Sequence, residues 1–282
     1  MPLLRLRNRR EVQALSIRKK GLLLWGVLFG RLCVFAGEEE VVARMGSVNT
    51  ETLPGEELNL GDINKVWCLF EQSGTFAGEF RERGKTAFDV DIENRFGKTD
   101  IQEDLFSALC CSDIPADSVL NEIRRDDFIM AFFPCTYFTD QSQLVSRGDS
   151  YGMKNWSVER KLNNSVELMW KRAEYYNYFC NLFKFSLDVG CKMVVENPYG
   201  KVNFLRQYFP IRPAVVMHDR QVFGDSYKKP TQFFFLNCKP ASKLLQIVAA
   251  DAKKNPIEDS YGFNRSIISP LFAKMFVRNY FW

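Results

Sequence analysis

The sequence has only one histidine, His218, and none of its eight cysteines is spaced as Cys-x-x-Cys. Histidine-rich metal sites, zinc ribbons and thioredoxin-type redox sites therefore lose support, and we expect no metal centre. A Ser-His-Asp hydrolase would have to use His218 itself. Cysteines scattered through mostly apolar stretches favour reduced thiols, so we expect a cytoplasmic protein.

No apolar run reaches the roughly 20 residues that span a bilayer. The run at 21–36 is interrupted by Arg31, so we expect no stable membrane association. Together with the basic residues before it, this run fits a secretory signal, an Arg-rich transit peptide, or a true start at Met45. We expect 1–63 to be an N-terminal extension and linker, and 64–282 to form one domain.

Excess positive charge is also missing from most of the chain. Seven of the 38 basic residues and one of the 34 acidic residues lie in 1–20, so the remainder holds 31 basic and 33 acidic side chains. A polyanion would therefore have to be bound by a local basic patch. With 282 residues, 46% of them apolar, the chain is long enough to bury a sizeable core.

Short apolar runs alternate with helical patterns from residue 65 onward. Apolar residues three or four apart over 157–187 predict a long amphipathic helix, and 73–84 predicts a Gly-containing turn followed by a shorter helix. The alternation predicts an α/β fold with an open, mostly parallel sheet, whose last two strands pair as an antiparallel hairpin at one edge. The predicted strands are 65–70, 86–92, 128–133, 191–196, 215–223 and 232–237.

The turn after the first predicted strand, 70–78 (FEQSGTFAG), is neither G-x-G-x-x-G nor a lysine-bearing phosphate loop. ATP hydrolysis is therefore not expected. A Gly-bearing turn lets the backbone approach a ligand at the start of a helix. Asp91 ends the second predicted strand, where an acid commonly binds ribose hydroxyls. The two features indicate an adenosine-containing cofactor, although Asp91 would also serve as the start of a turn.

Two reactive side chains follow neighbouring predicted strands. Cys135 comes just after the strand at 128–133, behind Pro134, and Glu196 ends the strand at 191–196. Open α/β sheets place their active sites at the carboxyl ends of parallel strands. We therefore expect a nucleophile and an acid to share one rim of the sheet.

The succession of these motifs resembles a known family. A strand with S-G-x-F-A (73–77), an acid, P-C (134–135) and E-N-P (196–198) resembles the DNA (cytosine-5) methyltransferases, in particular short, divergent, phage-like members. The segments 223–231 and 265–273 also resemble parts of such enzymes. The resemblance implies a Rossmann-like class I methyltransferase sheet, S-adenosylmethionine as cofactor and DNA with a flipped cytosine as substrate. For a phage protein it implies the host cytoplasm.

The resemblance also implies roles for individual residues. Cys135 would attack carbon 6 of cytosine, and Glu196 would hold ring nitrogen 3. The residues implied in cofactor binding are Phe70, Gly74, Asp91, Asp104 (with Asp100 as the alternative) and Pro134. The candidates for contact with the substrate are Asn197, Arg147, Arg220, Lys228 and Lys229.

The sequence departs from the family pattern in several places. Thr136 and Pro198 stand where the family usually has Gln and Val, and its Gln-x-Arg-x-Arg segment is not present. No long recognition domain fits between Thr231 and Arg265, so we expect loose target recognition or a separate recognition partner. Two alternatives stay open. N-P-Y (197–199) resembles the motif of amino-group DNA methyltransferases, and a decayed methyltransferase fold could serve as a non-catalytic binding protein.

Overall fold

The computed structural model describes residues 25–27, 31–33, 47–48, 55–110, 114–243, 245–248 and 267–282. Six α-helices lie in this part of the chain: α1 (Thr75–Glu82), α2 (Leu105–Cys110), α3 (Asp140–Arg147), α4 (Val158–Val189), α5 (Phe204–Tyr208) and α6 (Pro270–Tyr280). The strands here are β1 (Trp25–Val27), β2 (Arg31–Cys33), β3 (Ser47–Val48), β4 (Glu56–Glu57), β5 (Lys65–Leu69), β6 (Thr86–Asp91), β7 (Ile101–Gln102), β8 (Phe128–Ala131), β9 (Lys192–Pro198), β10 (Val215–Met217), β11 (Thr231–Leu236) and β12 (Cys238–Lys239).

Eight of these strands form one mixed sheet, in the order β3-β10-β11-β9-β8-β5-β6-β7. All neighbours from β9 to β7 pair in parallel, whereas β11 is antiparallel to both β9 and β10. The predicted α/β fold with a mostly parallel sheet is therefore confirmed, and it is compatible with a Rossmann-like architecture. The predicted hairpin forms, but β11 lies inside the sheet, and β10 is separated from the edge by β3.

The central strands are apolar on both faces because both faces are covered. In β5, Val66 and Cys68 join the core on one face, while Trp67 and Leu69 join the core on the other. This double burial explains why these strands appear in the sequence as continuous apolar runs. Helices α1 and α6 supply apolar side chains to the first core, and α2 and α4 supply the second.

The long helix is confirmed as α4, but its predicted apolar stripe is buried over only part of its length. Val158, Leu162 and Val166 are 74%, 61% and 58% exposed, whereas Phe179 and Leu182 are fully buried. A helix of 32 residues is roughly 48 Å long, at 1.5 Å per residue. The sheet beneath it is only five to seven residues deep. The first half of α4 therefore extends past the sheet. No helix among the described ranges is long and apolar enough to cross a membrane.

Two predicted boundaries differ from the structure. The segment 46–63 has the composition of a linker, yet Ser47–Val48 pairs with β10, and Leu58 and Ile63 lie in the core. The packed structure thus begins before residue 64. The predicted strand 215–223 ends at Met217, because the Asp219 side chain accepts a hydrogen bond from Gln221 N at 2.9 Å and starts a 3₁₀ turn.

Candidate active site

A cleft of about 1130 Å³ opens at the edge of the sheet where the parallel strands end. We call this edge the carboxyl edge. Loops after β5, β6, β8, β9 and β10 line the cleft, together with one side of α3 and α4. The sequence-predicted site residues that line it are Phe70, Asp91, Pro134, Cys135, Glu196 and Lys229.

The turn after β5 is shaped by two left-handed residues. Phe70 has φ +59° and Gly74 has φ +63°. A positive φ is costly for an aromatic residue, so such a residue usually marks a site that constrains the backbone. At Gly74 a Cβ atom would lie 3.0 Å from Lys98 Cβ and 3.5 Å from Asp89 Oδ2. The turn therefore requires glycine at this position for both conformation and space.

Glu71 holds this turn against the following helix. Its carboxylate accepts hydrogen bonds from Phe76 N at 2.8 Å and Ala77 N at 3.3 Å. Gly74, the residue at the N-cap of α1, has no side chain, so Glu71 supplies the capping oxygens from outside the helix. Burial raises the pKa of Glu71, although these hydrogen bonds oppose the shift.

Asp91 points its carboxyl group into the cleft from the end of β6. The side chain is 6% exposed, and Oδ1 accepts a hydrogen bond from Glu93 N at 2.8 Å. Burial raises the pKa of Asp91, and the charge of Glu93 adds to the shift. Gln72 reaches across the same end of the cleft and donates to Glu93 Oε2 at 3.1 Å. This corner of the cleft is therefore rich in hydrogen-bond acceptors.

Asp89 lies beneath the glycine turn and is fully buried. Burial, followed by the charge of Glu71, raises the pKa of Asp89 to about 8. Two neighbouring buried carboxyl groups cannot both be charged without cost, so a proton is retained near neutral pH. The floor of the turn thus contains a titratable pair that the sequence analysis did not identify.

Asp104 and its alternative Asp100, both implied in cofactor binding, serve other purposes in the fold. Asp104 is exposed and caps α2, accepting from Phe106 N at 3.1 Å and Ser107 Oγ at 2.6 Å. Asp100 pairs with Arg81 and accepts from Asp89 N at 2.7 Å. Neither side chain lines the cleft.

The loop that carries Cys135 is fixed by a buried arginine, Arg172, which also lines the cleft. Cys135 is half-buried in the cleft wall, and Phe138 N donates to its carbonyl oxygen at 2.9 Å. Arg172, on α4, donates to Tyr137 O at 2.8 Å and to Ser146 Oγ at 2.9 Å. Arg172 is only 3% exposed, so it joins the Cys135 loop, α3 and α4 into one unit.

Glu196 lies at the centre of a charged network on the other side of the cleft. Its Oε1 atom is 3.4 Å from Arg220 Nη1 and 3.6 Å from Lys229 Nζ. Arg220 is 1% exposed and also pairs with Asp225. The segment 223–231, singled out in the sequence, thus supplies both the partner of Arg220 and the lysine that faces the cleft.

Three of the remaining substrate candidates lie outside the cleft lining. Asn197 is fully buried, and its Nδ2 donates to Phe133 O at 3.2 Å, which joins the ends of β9 and β8. Arg147 is exposed at the last position of α3, and Lys228 is exposed beside Lys229. The structure therefore assigns Asn197 a role in the fold and leaves the two cations at the surface.

The charges around the cleft are divided between its two ends. Glu71 and Asp91 line the end formed by β5 and β6, while Lys201 and Lys229 line the end formed by β9 to β11. The acids at the basic end are engaged by protein donors: Glu196 by the cations described above, and Asp140, whose Oδ1 accepts from Val202 N at 3.2 Å. The acidic end suits a neutral or cationic ligand, and the basic end suits an anionic one.

Glu71 and Arg172 are the important residues that the sequence analysis missed. Glu71 was visible as an acid within the glycine turn, three residues before a glycine that cannot cap a helix. No such signal distinguishes Arg172, because Lys171 beside it also has an apolar and an aromatic neighbour, Leu168 and Tyr175, three and four positions away. Comparison with known protein families finds none that matches this chain, and a search of curated proteins finds no similar sequence.

Proposed function

We propose that this protein is an S-adenosylmethionine-dependent DNA (cytosine-5) methyltransferase. The observation that carries the proposal is that Cys135 and Glu196, from the ends of adjacent parallel strands, face one cleft. A thiol and a carboxyl group in one cleft suit nucleophilic addition to a ring that must be held and polarised.

The cofactor would be bound at the acidic end of the cleft. The buried carboxyl of Asp91 offers an acceptor to ribose hydroxyls, and the strained backbone at Phe70 and the turn at Gly74 bring main-chain groups close to the ligand. Glu71 and Asp91 give this end a negative potential, which favours a sulfonium. These residues fit S-adenosylmethionine, which supplies an electrophilic methyl group when bound.

Cys135 would act on the flipped base. Its thiolate adds to carbon 6 of cytosine, forming a carbon–sulfur bond, and the electron pair of the 5,6 double bond makes carbon 5 nucleophilic. After methylation, loss of the proton on carbon 5 restores the double bond and expels the thiolate. Glu196 would hold ring nitrogen 3, and Lys229 would bring positive charge beside the ring as electrons move into it.

The amino-group alternative depends on Asn197 and Tyr199. Tyr199 lines the cleft, but Asn197 is fully buried and its amide donates to a main-chain carbonyl. That position favours carbon-5 chemistry. The non-catalytic alternative is opposed by the presence of both Cys135 and Glu196 in the cleft, because a binding protein has no need of either.

Methyl transfer to DNA tests the proposal. Purified protein should transfer label from methyl-labelled cofactor to DNA, and bisulfite sequencing should locate the label on cytosine. Cys135→Ala should abolish transfer while the cofactor still binds, and Tyr199→Leu should leave measurable transfer. Transfer that survives Cys135→Ala and disappears with Tyr199→Leu would instead support the amino-group alternative. Absence of transfer to any DNA would support the non-catalytic one.

A further inference from the structure

The segment that follows β9 is rich in positive charge, although residues 21–282 as a whole contain slightly more acidic than basic side chains. Residues 199–218 contain Lys201, Arg206 and Arg212 and no Asp or Glu. Lys201 lines the cleft, and so do Tyr199 and His218 at the two ends of this segment. Lys201 therefore lies in the cleft wall, and Arg206 lies next to it through its contact with Tyr199.

None of these three cations is neutralised by an ion pair in the described part of the chain, and the two arginines are held by main-chain carbonyls. Among the described residues, no ion pair involves Lys201, Arg206 or Arg212. Arg212 Nη1 donates to Arg206 O at 2.8 Å, and Arg206 Nη1 donates to Gly200 O at 3.4 Å. Main-chain carbonyls orient the guanidinium groups but leave their positive charge available to a ligand.

The segment is also anchored to the walls of the cleft. Asn203 donates to Pro198 O at 3.0 Å and caps α5, accepting from Leu205 N at 3.0 Å. Tyr199 packs edge-on against His218 with ring centroids 5.6 Å apart, and the Arg206 guanidinium lies 5.1 Å from the Tyr199 ring centroid. An aromatic ring beside a cation is a combination that binds a nucleic-acid strand by charge and stacking.

We propose that Tyr199, Lys201, Arg206 and Arg212 form a basic strip that binds the phosphodiester backbone of the DNA strand whose base enters the cleft. The identity of the strand rests on the proposed function, whereas the binding of a polyanion rests on the charge of the strip alone. Phosphate contacts of this kind fix the position of a strand without reading its sequence. The strip would thus do part of the work of the long recognition domain that does not fit between Thr231 and Arg265.

The test is a salt titration of DNA binding without cofactor. A fluorescent 20-nucleotide single strand is titrated with wild-type protein and with Lys201→Gln/Arg206→Gln. Each lost phosphate contact should reduce the slope of log affinity against log salt by about 0.7 for a single strand, or about 0.9 for a duplex. In the double variant the slope should therefore be smaller by about 1.4, and its affinity for the strand at low salt should be at least roughly 10-fold lower.

A matched variant removes two exposed cations from the opposite edge of the sheet. Arg125 precedes β8 and Lys184 lies near the end of α4, so both are far from the carboxyl edge. Arg125→Gln/Lys184→Gln should retain the wild-type slope, and thermal melting should show that both double variants are folded. An equal loss in both variants, or a loss in neither, would overturn the proposal.

Two further arms separate this proposal from the proposed function. Cys135→Ala should bind DNA with the wild-type slope, because the thiol acts on the base alone. A strip-dependent slope in a protein that transfers no methyl groups would refute the proposed function and leave the strip standing. An RNA strand of the same sequence that binds more tightly than the DNA, with the same loss in the double variant, would overturn the assignment to DNA.

Discussion

Lys229 Nζ lies 3.6 Å from Oε1 of Glu196, on the cleft side of the carboxyl group. Arg220 approaches the same oxygen from the buried side, at 3.4 Å, and its charge is shared with Asp225. The two cations therefore have different tasks. Arg220 positions the carboxyl group within the fold, and Lys229 is the one that a ligand in the cleft can touch.

Substitution of these two cations should separate stability from activity. Arg220→Met leaves Asp225 buried without its partner, which should lower the unfolding free energy by about 3–5 kcal/mol. Lys229 lies at the edge of the cleft, so Lys229→Met should change the unfolding free energy by about 0.5 kcal/mol or less. Urea denaturation measures both. If Lys229→Met retains full methyl transfer, Lys229 does not touch the substrate.

Asp91 should contribute strongly to cofactor affinity, and Asp104 should not. Asp91→Ala removes a charged acceptor of hydrogen bonds from the cleft, which should weaken S-adenosylmethionine binding by about 10- to 100-fold. Asp104→Ala removes only the cap of α2, so it should cost about 1 kcal/mol of stability with little change in affinity. Titration calorimetry checks the pair. A larger loss of affinity with Asp104→Ala would transfer the cofactor contact to that residue.

The stability of the protein should fall as pH rises from about 4 to about 8. Asp89 has a pKa of about 8 in the folded protein, whereas the pKa of an aspartate in the unfolded chain is about 3.9. In that interval the folded protein keeps a proton that the unfolded chain releases, so rising pH favours unfolding, and the effect levels off above pH 8. Asp89→Asn should flatten this dependence and be more stable than wild type at pH 8 by about 1–2 kcal/mol. Identical pH profiles for the two proteins would show that Asp89 is not the group responsible.

Arg172 should act as a positioning residue for the Cys135 loop. Arg172→Met removes its hydrogen bonds to Tyr137 O and Ser146 Oγ and should cost about 2–4 kcal/mol of stability. Methyl transfer should slow while cofactor affinity is retained, because Asp91, the proposed cofactor contact, lies at the end of β6 and not in the loop that Arg172 holds. Arg160→Met, at an exposed position of the same helix, is the matched control: it removes a contact with the Trp156 ring, whose centroid is 3.9 Å away, and should change neither the rate of methyl transfer nor the cofactor affinity. Equal effects on rate and on cofactor affinity would indicate general unfolding of the cleft.

The sequence predicts the central strands well because a strand that is buried on both faces needs apolar residues at successive positions. Phe128–Ala131 and the apolar residues 233–236 of β11 are buried, and both runs are recognisable from the sequence alone. The rim positions of Cys135 and Glu196 follow from the rule that parallel strands end together. The strands and the positions of these two residues can therefore be predicted from short stretches of sequence, one strand at a time.

The parts that could not be predicted depend on contacts between distant segments. Leu58 is buried although its neighbours have the composition of a linker, because β4 beside it pairs with β12 near the other end of the chain. The exposed first half of α4 carries the same apolar period as the buried half, and only the depth of the sheet distinguishes them. Asn197 follows a catalytic candidate in sequence, yet strand alternation and a hydrogen bond to Phe133 turn it away from the cleft.

The central claim is that Cys135 forms a covalent bond with cytosine, and a 5-fluorocytosine oligonucleotide tests it most directly. Fluorine at carbon 5 cannot leave as a proton does, so the carbon–sulfur bond should persist after methylation. We predict a protein–DNA complex that survives denaturing electrophoresis, requires S-adenosylmethionine, and is absent with Cys135→Ala. The absence of such a complex from protein that methylates ordinary DNA, or its formation by Cys135→Ala, would contradict the account.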